Sequence, residues 1–125
     1  MRLGTETTPG GLSVTTTRLG DETVLVELAG DVDLSTVDQV GARLSSALCP
    51  PVPRFVLLDC GEVGFLSCAG LRALIEGDRM ADDVDAELCV CGLGRDPLRA
   101  VRMAGVADVL SVYESLEEAL FAVRV

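Results

Sequence analysis

The spacing of apolar residues along the chain distinguishes strands from helices. Five runs that alternate with polar residues, or are apolar almost throughout, predict strands over residues 12–18, 23–29, 55–60, 88–91 and 109–112. A turn at Gly20-Asp21 joins the first two runs and predicts a hairpin. The third run is nearly continuous, as in a central strand that is covered on both faces.

Helical spacing, with apolar side chains three or four residues apart, occupies the segments between and after these strands. It predicts four helices, which carry the apolar positions within residues 37–48, 71–75, 98–101 and 116–123. Ser35 with Asp38 resembles a capping box and predicts the start of the first helix. Ser115 with Glu118 predicts the start of the last helix in the same way.

Strands that alternate with helices through short links predict an α/β fold. We expect a mainly parallel mixed sheet of about five strands with about four helices, in which the first strand is antiparallel. The 125 residues are enough for one domain. Residues 1–11 are expected to form a flexible N-terminal lead-in, and residues 12–125 the domain.

Charge and composition narrow the range of functions. The formal net charge is −10, and all ten basic residues are arginine, because the chain has neither lysine nor histidine. Such an acidic chain is repelled by phosphate backbones and anionic lipids, so we expect no nucleic-acid and no membrane partner. Without histidine there is no Ser-His or Cys-His pair, and without lysine there is no Walker-type phosphate clamp.

The cysteines indicate a reducing compartment. Five is an odd number, and these residues lie in apolar segments, so we expect buried thiols in a cytoplasmic protein rather than a disulfide scaffold. No apolar run approaches the roughly 18 residues of a membrane span. Cys89 and Cys91 share one strand face but lack metal-ligand spacing, so we expect core packing, no metal and no cofactor.

Two loops at the carboxyl ends of predicted strands carry the candidate chemistry. In a parallel sheet these ends gather along one edge, where folds of this class place their sites. One loop reads Gly-Asp-Val-Asp-Leu-Ser-Thr over residues 30–36, and the other reads Gly-Glu-Val-Gly-Phe-Leu-Ser-Cys-Ala-Gly-Leu over residues 61–71. We expect the two loops to meet and to present a non-catalytic surface to another macromolecule.

These two motifs together resemble the STAS domain of anti-sigma-factor antagonists. The resemblance rests on GDVDLST before one helix and LDCGEVGFLSCAGLR before the next, and it covers the chain from about Leu12 onward. It implies a protein that binds an anti-sigma factor, typically a GHKL-type serine kinase, and so releases a sigma factor. It also implies that the chain itself is not an enzyme.

One departure from the family pattern concerns regulation. In the family the second motif usually reads Asp-Ser-Ser/Thr-Gly-Leu, and the kinase phosphorylates the first serine. Gly70 and Leu71 match this pattern, whereas Ser67 stands at the position of the aspartate and Cys68 at that of the phosphorylated serine. A cysteine is not an acceptor for a serine kinase. This departure leaves the binding surface in place and three forms of control open: none, phosphorylation of Ser67 one position early, or oxidation of Cys68.

The candidate residues for partner binding and regulation also have simpler structural interpretations. Ser67 is the only candidate phosphoacceptor at the motif, but as a helix N-cap it would contribute about 1 kcal/mol to stability. Cys68 is a candidate redox sensor or a small buried filler: the helix dipole favours its thiolate, while Asp33 and Glu62 oppose it. Asp33 either contacts the partner or caps the helix entry. The full set of candidates is Asp31, Asp33, Ser35, Thr36, Ser67, Cys68, Ala69, Gly70 and Arg72.

Two other functions fit the same sequence. One keeps the fold and makes the chain the small STAS subunit of an ABC lipid-transport or stressosome-like assembly. The other is a thiol enzyme at Cys68, which needs an activating partner that the sequence does not supply. We expect a monomer or a weak dimer.

Overall fold

The predicted alternation of strands and helices is present in the computed structural model, which describes residues 1–7, 9–106 and 108–124. The strands in these ranges are β1 Arg2–Thr7, β2 Ser13–Leu19, β3 Thr23–Val32, β4 Phe55–Leu66, β5 Glu87–Cys91 and β6 Ser111–Tyr113. The helices are α1 Val37–Ala47, α2 Cys68–Asp83, α3 Arg95–Met103 and α4 Leu116–Ala122. The α/β fold class with a mixed sheet is confirmed.

The strands lie side by side in the order of the sequence, from β1 to β6. The pairs β1–β2 and β2–β3 are antiparallel, whereas β3–β4, β4–β5 and β5–β6 are parallel. Each parallel pair is connected through one helix. Since crossovers of this kind are right-handed and the strand order never reverses, α1, α2 and α3 are expected on the same face of the sheet.

Two apolar clusters confirm that arrangement. The larger cluster joins buried strand residues to the first three helices, for example through Leu44 of α1, Leu74 of α2 and Val101 of α3. The smaller cluster lies on the other face, where Ala119 of α4 packs with strand residues that include Leu57. The sheet therefore has a helix layer on one face and a single short helix on the other.

One strand, β1, is present where the sequence pattern predicts none, and two strands, β3 and β4, extend further than predicted. The segment expected to be a flexible lead-in contains β1, which pairs with β2 and is also held by α1, because Arg43 donates to the Gly4 carbonyl at 3.4 Å. Arg43 also donates to Thr16 Oγ1 of β2 at 2.6 Å. Residues 61–66, expected to be a loop, continue β4 as far as Leu66. The glycines and the glutamate in this segment are not typical of a strand, but its parallel pairing with β3 continues through shifts in register.

No helix in residues 1–7, 9–106 and 108–124 is long and apolar enough to cross a membrane.

Candidate functional site

The two predicted loops meet because β3 and β4 are neighbouring parallel strands. Gly30 pairs with Val63 and Val32 with Leu66, and the Ser67 amide donates to the Val32 carbonyl at 2.9 Å. We call this edge, residues 30–36 and 61–72, the rim. The expected meeting of the two motifs is therefore present in the structure.

The first loop of the rim is held by hydrogen bonds among its own residues. Asp33 Oδ1 accepts from the Ser35 amide at 2.9 Å and from the Ser35 hydroxyl at 2.6 Å. These bonds, the Ser35 hydroxyl foremost, lower the pKa of the Asp33 carboxyl. Thr36 Oγ1 accepts from the Asp33 amide and donates to the Asp31 carbonyl, each at 3.0 Å. The loop is thus fixed at both ends before any partner arrives.

The predicted N-cap of α1 is wrong by one position. The N-cap is Thr36, which makes no side-chain capping bond, and Ser35 lies one position outside the helix. The reason is the Asp33 carboxylate, which takes both the amide and the hydroxyl of Ser35 and so holds this serine in the turn before the helix.

The start of α2 follows the sequence prediction. Ser67 has extended backbone angles, and its Oγ accepts from the Gly70 amide at 3.1 Å, so it caps the helix. The next residue, Cys68, is the first of the helix and is exposed. A thiol therefore stands in water on the first turn of a capped helix, beside the acidic loop.

Gly70 lets α2 begin this close to β3. A Cβ atom on Gly70 would lie 2.7 Å from the Val32 carbonyl oxygen and 2.7 Å from Leu66 Cδ1. The carbonyl belongs to the backbone and cannot turn away as a side chain can. Only glycine fits the contact between the helix and the two strand ends.

The candidate residues differ in whether they reach the surface. Thr36 is 1% exposed and Gly70 is buried, so both shape the rim from within and do not present a side chain to a partner. Asp33, Ser67 and Ala69 are half-buried. The exposed candidates are Asp31, Ser35, Cys68 and Arg72.

The other cysteines occupy different surroundings. All five are free thiols; Cys49 and Cys68 are exposed, whereas Cys60, Cys89 and Cys91 are buried. Burial is the main cause that raises the pKa of Cys60 and Cys89, and it raises the pKa of Cys91 to about 12. The core interpretation of Cys89 and Cys91 is supported, while a buried filler role for Cys68 is excluded by its exposure. No cluster suited to a metal ion occurs among the described residues.

Two apolar residues of the rim are not among the site residues predicted from the sequence. Leu34 is 81% exposed and Phe65 is 53% exposed. The available signal was the position of Leu34, a large apolar residue between polar ones in a loop. Phe65 could not be distinguished from the core residues Val63 and Leu66 on either side, because the irregular end of β4 decides which side chains turn outward.

Comparison with protein families and curated proteins agrees with the fold and the two motifs. The STAS domain family matches residues 15–119. The chain is 22% identical to the anti-sigma F factor antagonist of Paenibacillus polymyxa over 102 residues, which cover 82% of this chain and 87% of that protein. It is 27% identical over 104 residues to BtrV of Bordetella bronchiseptica, described as an anti-sigma factor antagonist, with 83% and 89% covered.

Solved structures share the fold. An anti-sigma factor antagonist from Mycobacterium paratuberculosis has a TM-score of 0.76 at 21% identity, covering 96% of this chain and 100% of that one. The phosphorylated form of the Bacillus cell fate determinant SpoIIAA has a TM-score of 0.68 at 19% identity, with 89% and 99% covered.

Proposed function

The chain belongs to the STAS domain family, and we propose that it is an anti-sigma-factor antagonist that binds an anti-sigma factor through the rim and so releases a sigma factor. The observation that carries this proposal is the joining of the two motifs. The bond from the Ser67 amide to the Val32 carbonyl brings the fixed acidic loop next to the exposed first turn of α2. A preformed surface of this kind loses little conformational entropy when it docks.

The charge of the rim specifies the kind of partner. Asp31 and Glu62 are exposed, Asp33 is half-buried, and the whole chain carries a net charge of −10. A partner with a basic face is therefore attracted, and an acidic one is repelled. Within the family such a partner is typically a GHKL-type serine kinase, and the two curated relatives are named as anti-sigma factor antagonists. We take that class of kinase as the partner of this chain.

The same geometry suggests how control differs from the family pattern. A phosphate at the start of α2 would add roughly −1.5 to −2 charges and considerable bulk beside the acidic loop. Cys68 stands at that position and cannot be the serine acceptor, while Ser67 Oγ is engaged as the cap of α2. We therefore propose control that is independent of phosphorylation, or that acts by oxidation of the exposed Cys68 thiol.

The test incubates the protein with each purified GHKL-type anti-sigma factor of the same genome, with and without ATP. Complex formation is followed by size-exclusion chromatography and any modification by intact mass. We expect a complex with one of these factors that survives ATP, with no added phosphate on the wild type. Cys68→Ser restores a serine at the family position, and we expect it to gain one phosphate and to lose the complex.

Three outcomes bear on different parts of the proposal. A phosphate on the wild type that disappears in Ser67→Ala would show that control is shifted by one residue. Loss of the complex after peroxide treatment in the wild type, but not in Cys68→Ala, would establish the redox form of control. Absence of a complex with every anti-sigma factor, together with binding to an ABC ATPase, would contradict the function itself.

A further inference from the structure

Two large apolar side chains of the rim are exposed to water. Leu34 is 81% exposed on the first loop, and Phe65 is 53% exposed at the end of β4. Single exposed apolar residues are common on protein surfaces. These two are distinguished by their position, since each lies on one of the two joined segments of the rim.

Both side chains are presented from a fixed backbone. Leu34 lies between Asp33 and Ser35, whose mutual hydrogen bonds close the turn around it. Phe65 lies between Val63 and Leu66, which are 6% and 7% exposed and pack into the larger core. Docking therefore immobilises little more than the side chains themselves, which keeps its entropic cost small.

The two side chains are close enough to enter one interface. Val32 and Leu66 are paired across β3 and β4, Leu34 lies two residues beyond Val32, and Phe65 lies one residue before Leu66. With about 3.8 Å between successive Cα atoms, the Cα atoms of Leu34 and Phe65 lie within roughly 16 Å of each other. A standard interface covers about 800 Å² on each partner, which easily includes both.

Acidic residues outnumber basic ones on the segments that carry the two apolar side chains. Asp31 and Glu62 are exposed in the rim together with one arginine, Arg72, and Asp38 is exposed on the first turn of α1. A complementary face must therefore combine apolar pockets with arginine or lysine around them. An uncharged apolar face would leave these carboxylates desolvated without partners, which is costly.

We propose that Leu34 and Phe65 are the two anchor residues of the rim, and that they insert into two apolar pockets ringed by basic side chains on the anti-sigma factor. This inference rests on the proposed function and names the residues that set its affinity. Such anchors dominate binding energy because the surrounding polar contacts exclude water without adding much themselves. The net acidic charge of the rim sets the association rate and the choice of partner.

The chain offers matched controls away from the rim. Phe121 is 87% exposed on α4, which packs on the other face of the sheet, and Met103 is 77% exposed at the last residue of α3. The residues after Phe121 line a cavity of about 330 Å³ with Glu22 and Arg54, next to the amino ends of β3 and β4. They therefore lie at the opposite edge from the rim.

The experiment measures the affinity of purified Leu34→Ser, Phe65→Ser, Met103→Ser and Phe121→Ser for the anti-sigma factor that binds the wild type, by titration calorimetry. We expect each rim variant to bind at least about tenfold more weakly and each control variant to bind within about twofold of the wild type. Leu34→Met and Phe65→Tyr keep an apolar body and should retain most of the affinity. Circular dichroism and thermal unfolding check that all variants fold as the wild type does.

Each result has a definite meaning. Rim variants that bind as tightly as the wild type contradict the anchor role of Leu34 and Phe65, while the proposed function stands. Control variants that lose as much affinity as the rim variants also contradict the anchor role of Leu34 and Phe65, because the loss of affinity is then not confined to the rim. A wild type that binds no anti-sigma factor overturns the proposed function, and the anchors with it.

Discussion

The exposed thiol at the start of α2 and the three thiols in the strands show what burial does to one type of side chain. Cys68 stands in water one residue after a capped helix start, next to an acidic loop. Cys60, Cys89 and Cys91 lie in the sheet, where burial raises their pKa. The buried thiols are therefore held in the neutral form, in which they pack as small apolar groups and do not react.

That difference carries over to the surrounding backbone. The strands around the buried thiols are fixed by apolar packing on both faces of the sheet. The rim is fixed by polar bonds, among them the Asp33–Ser35 pair and the Ser67 cap, which leave its outer side chains free to meet a partner. A core and a docking surface can thus both be held in place, by different kinds of contact, while only one of them is accessible.

The largest effect is expected where the rim meets the core. Gly70→Ala should lower the free energy of unfolding by about 1–3 kcal/mol, because the added methyl meets the Val32 carbonyl and Leu66 at 2.7 Å. Gly41→Ala is the matched control on α1, where a Cβ meets nothing within 4 Å, and it should stabilise the protein by up to about 1 kcal/mol. Urea denaturation measures both. Equal effects of the two substitutions would contradict the statement that no Cβ atom fits at Gly70.

The buried thiols should make stability depend on alkaline pH. Their pKa is raised in the folded state, so their contribution is full below the unfolded thiol value of about 8.5 and is lost as the pH rises above it. Each such thiol gives a slope of at most about 1.4 kcal/mol per pH unit. Urea denaturation between pH 8 and about pH 10 measures it.

Variants identify the source of that slope. Cys60→Ala and Cys91→Ala should each reduce it, whereas Val90→Ala, which removes buried apolar atoms from β5 but no thiol, should destabilise the protein and leave the slope unchanged. If the free energy of unfolding of the wild type does not change over this pH range, the thiols are not held in the neutral form.

A smaller effect distinguishes the starts of the two helices. Ser67→Ala should cost about 1 kcal/mol, because it removes the side-chain hydrogen bond to the Gly70 amide. Ser35→Ala should cost less than about 0.5 kcal/mol, since Ser35 is exposed and its amide still bonds Asp33. Thermal unfolding of the two variants compares them directly. A larger loss for Ser35→Ala would restore the capping role that the structure denies it.

The sequence predicted the start of α2 but not that of α1, and the reason is local. Ser67 has no acidic competitor two residues before it, so its hydroxyl is available to the Gly70 amide. Ser35 follows Asp33 at the spacing of an Asx turn, and the carboxylate takes its polar groups first. Serine at a predicted helix start is therefore a reliable cap only where no neighbouring side chain competes for it.

Tertiary contacts explain the rest of what the sequence did not predict. β1 has little apolar alternation, and it forms because β2 offers a free edge and Arg43 of α1 donates to the Gly4 carbonyl. The outward turn of Phe65 depends on a shift in register between β3 and β4, which no spacing of residues reveals. The joining of the two motifs, by contrast, followed from the order of strands and helices alone.

The claim that the exposed start of α2 is the docking surface can be tested with one pair of substitutions. Cys68 and Cys49 are the two exposed cysteines, and Cys49 lies beyond the end of α1, outside the rim. Calorimetric titration with the anti-sigma factor compares Cys68→Arg with Cys49→Arg, which add the same charge and bulk at the two places. We expect Cys68→Arg to bind at least about tenfold more weakly, which corresponds to about 1.4 kcal/mol, and Cys49→Arg to bind as the wild type does. Wild-type affinity in a folded Cys68→Arg variant would contradict the claim.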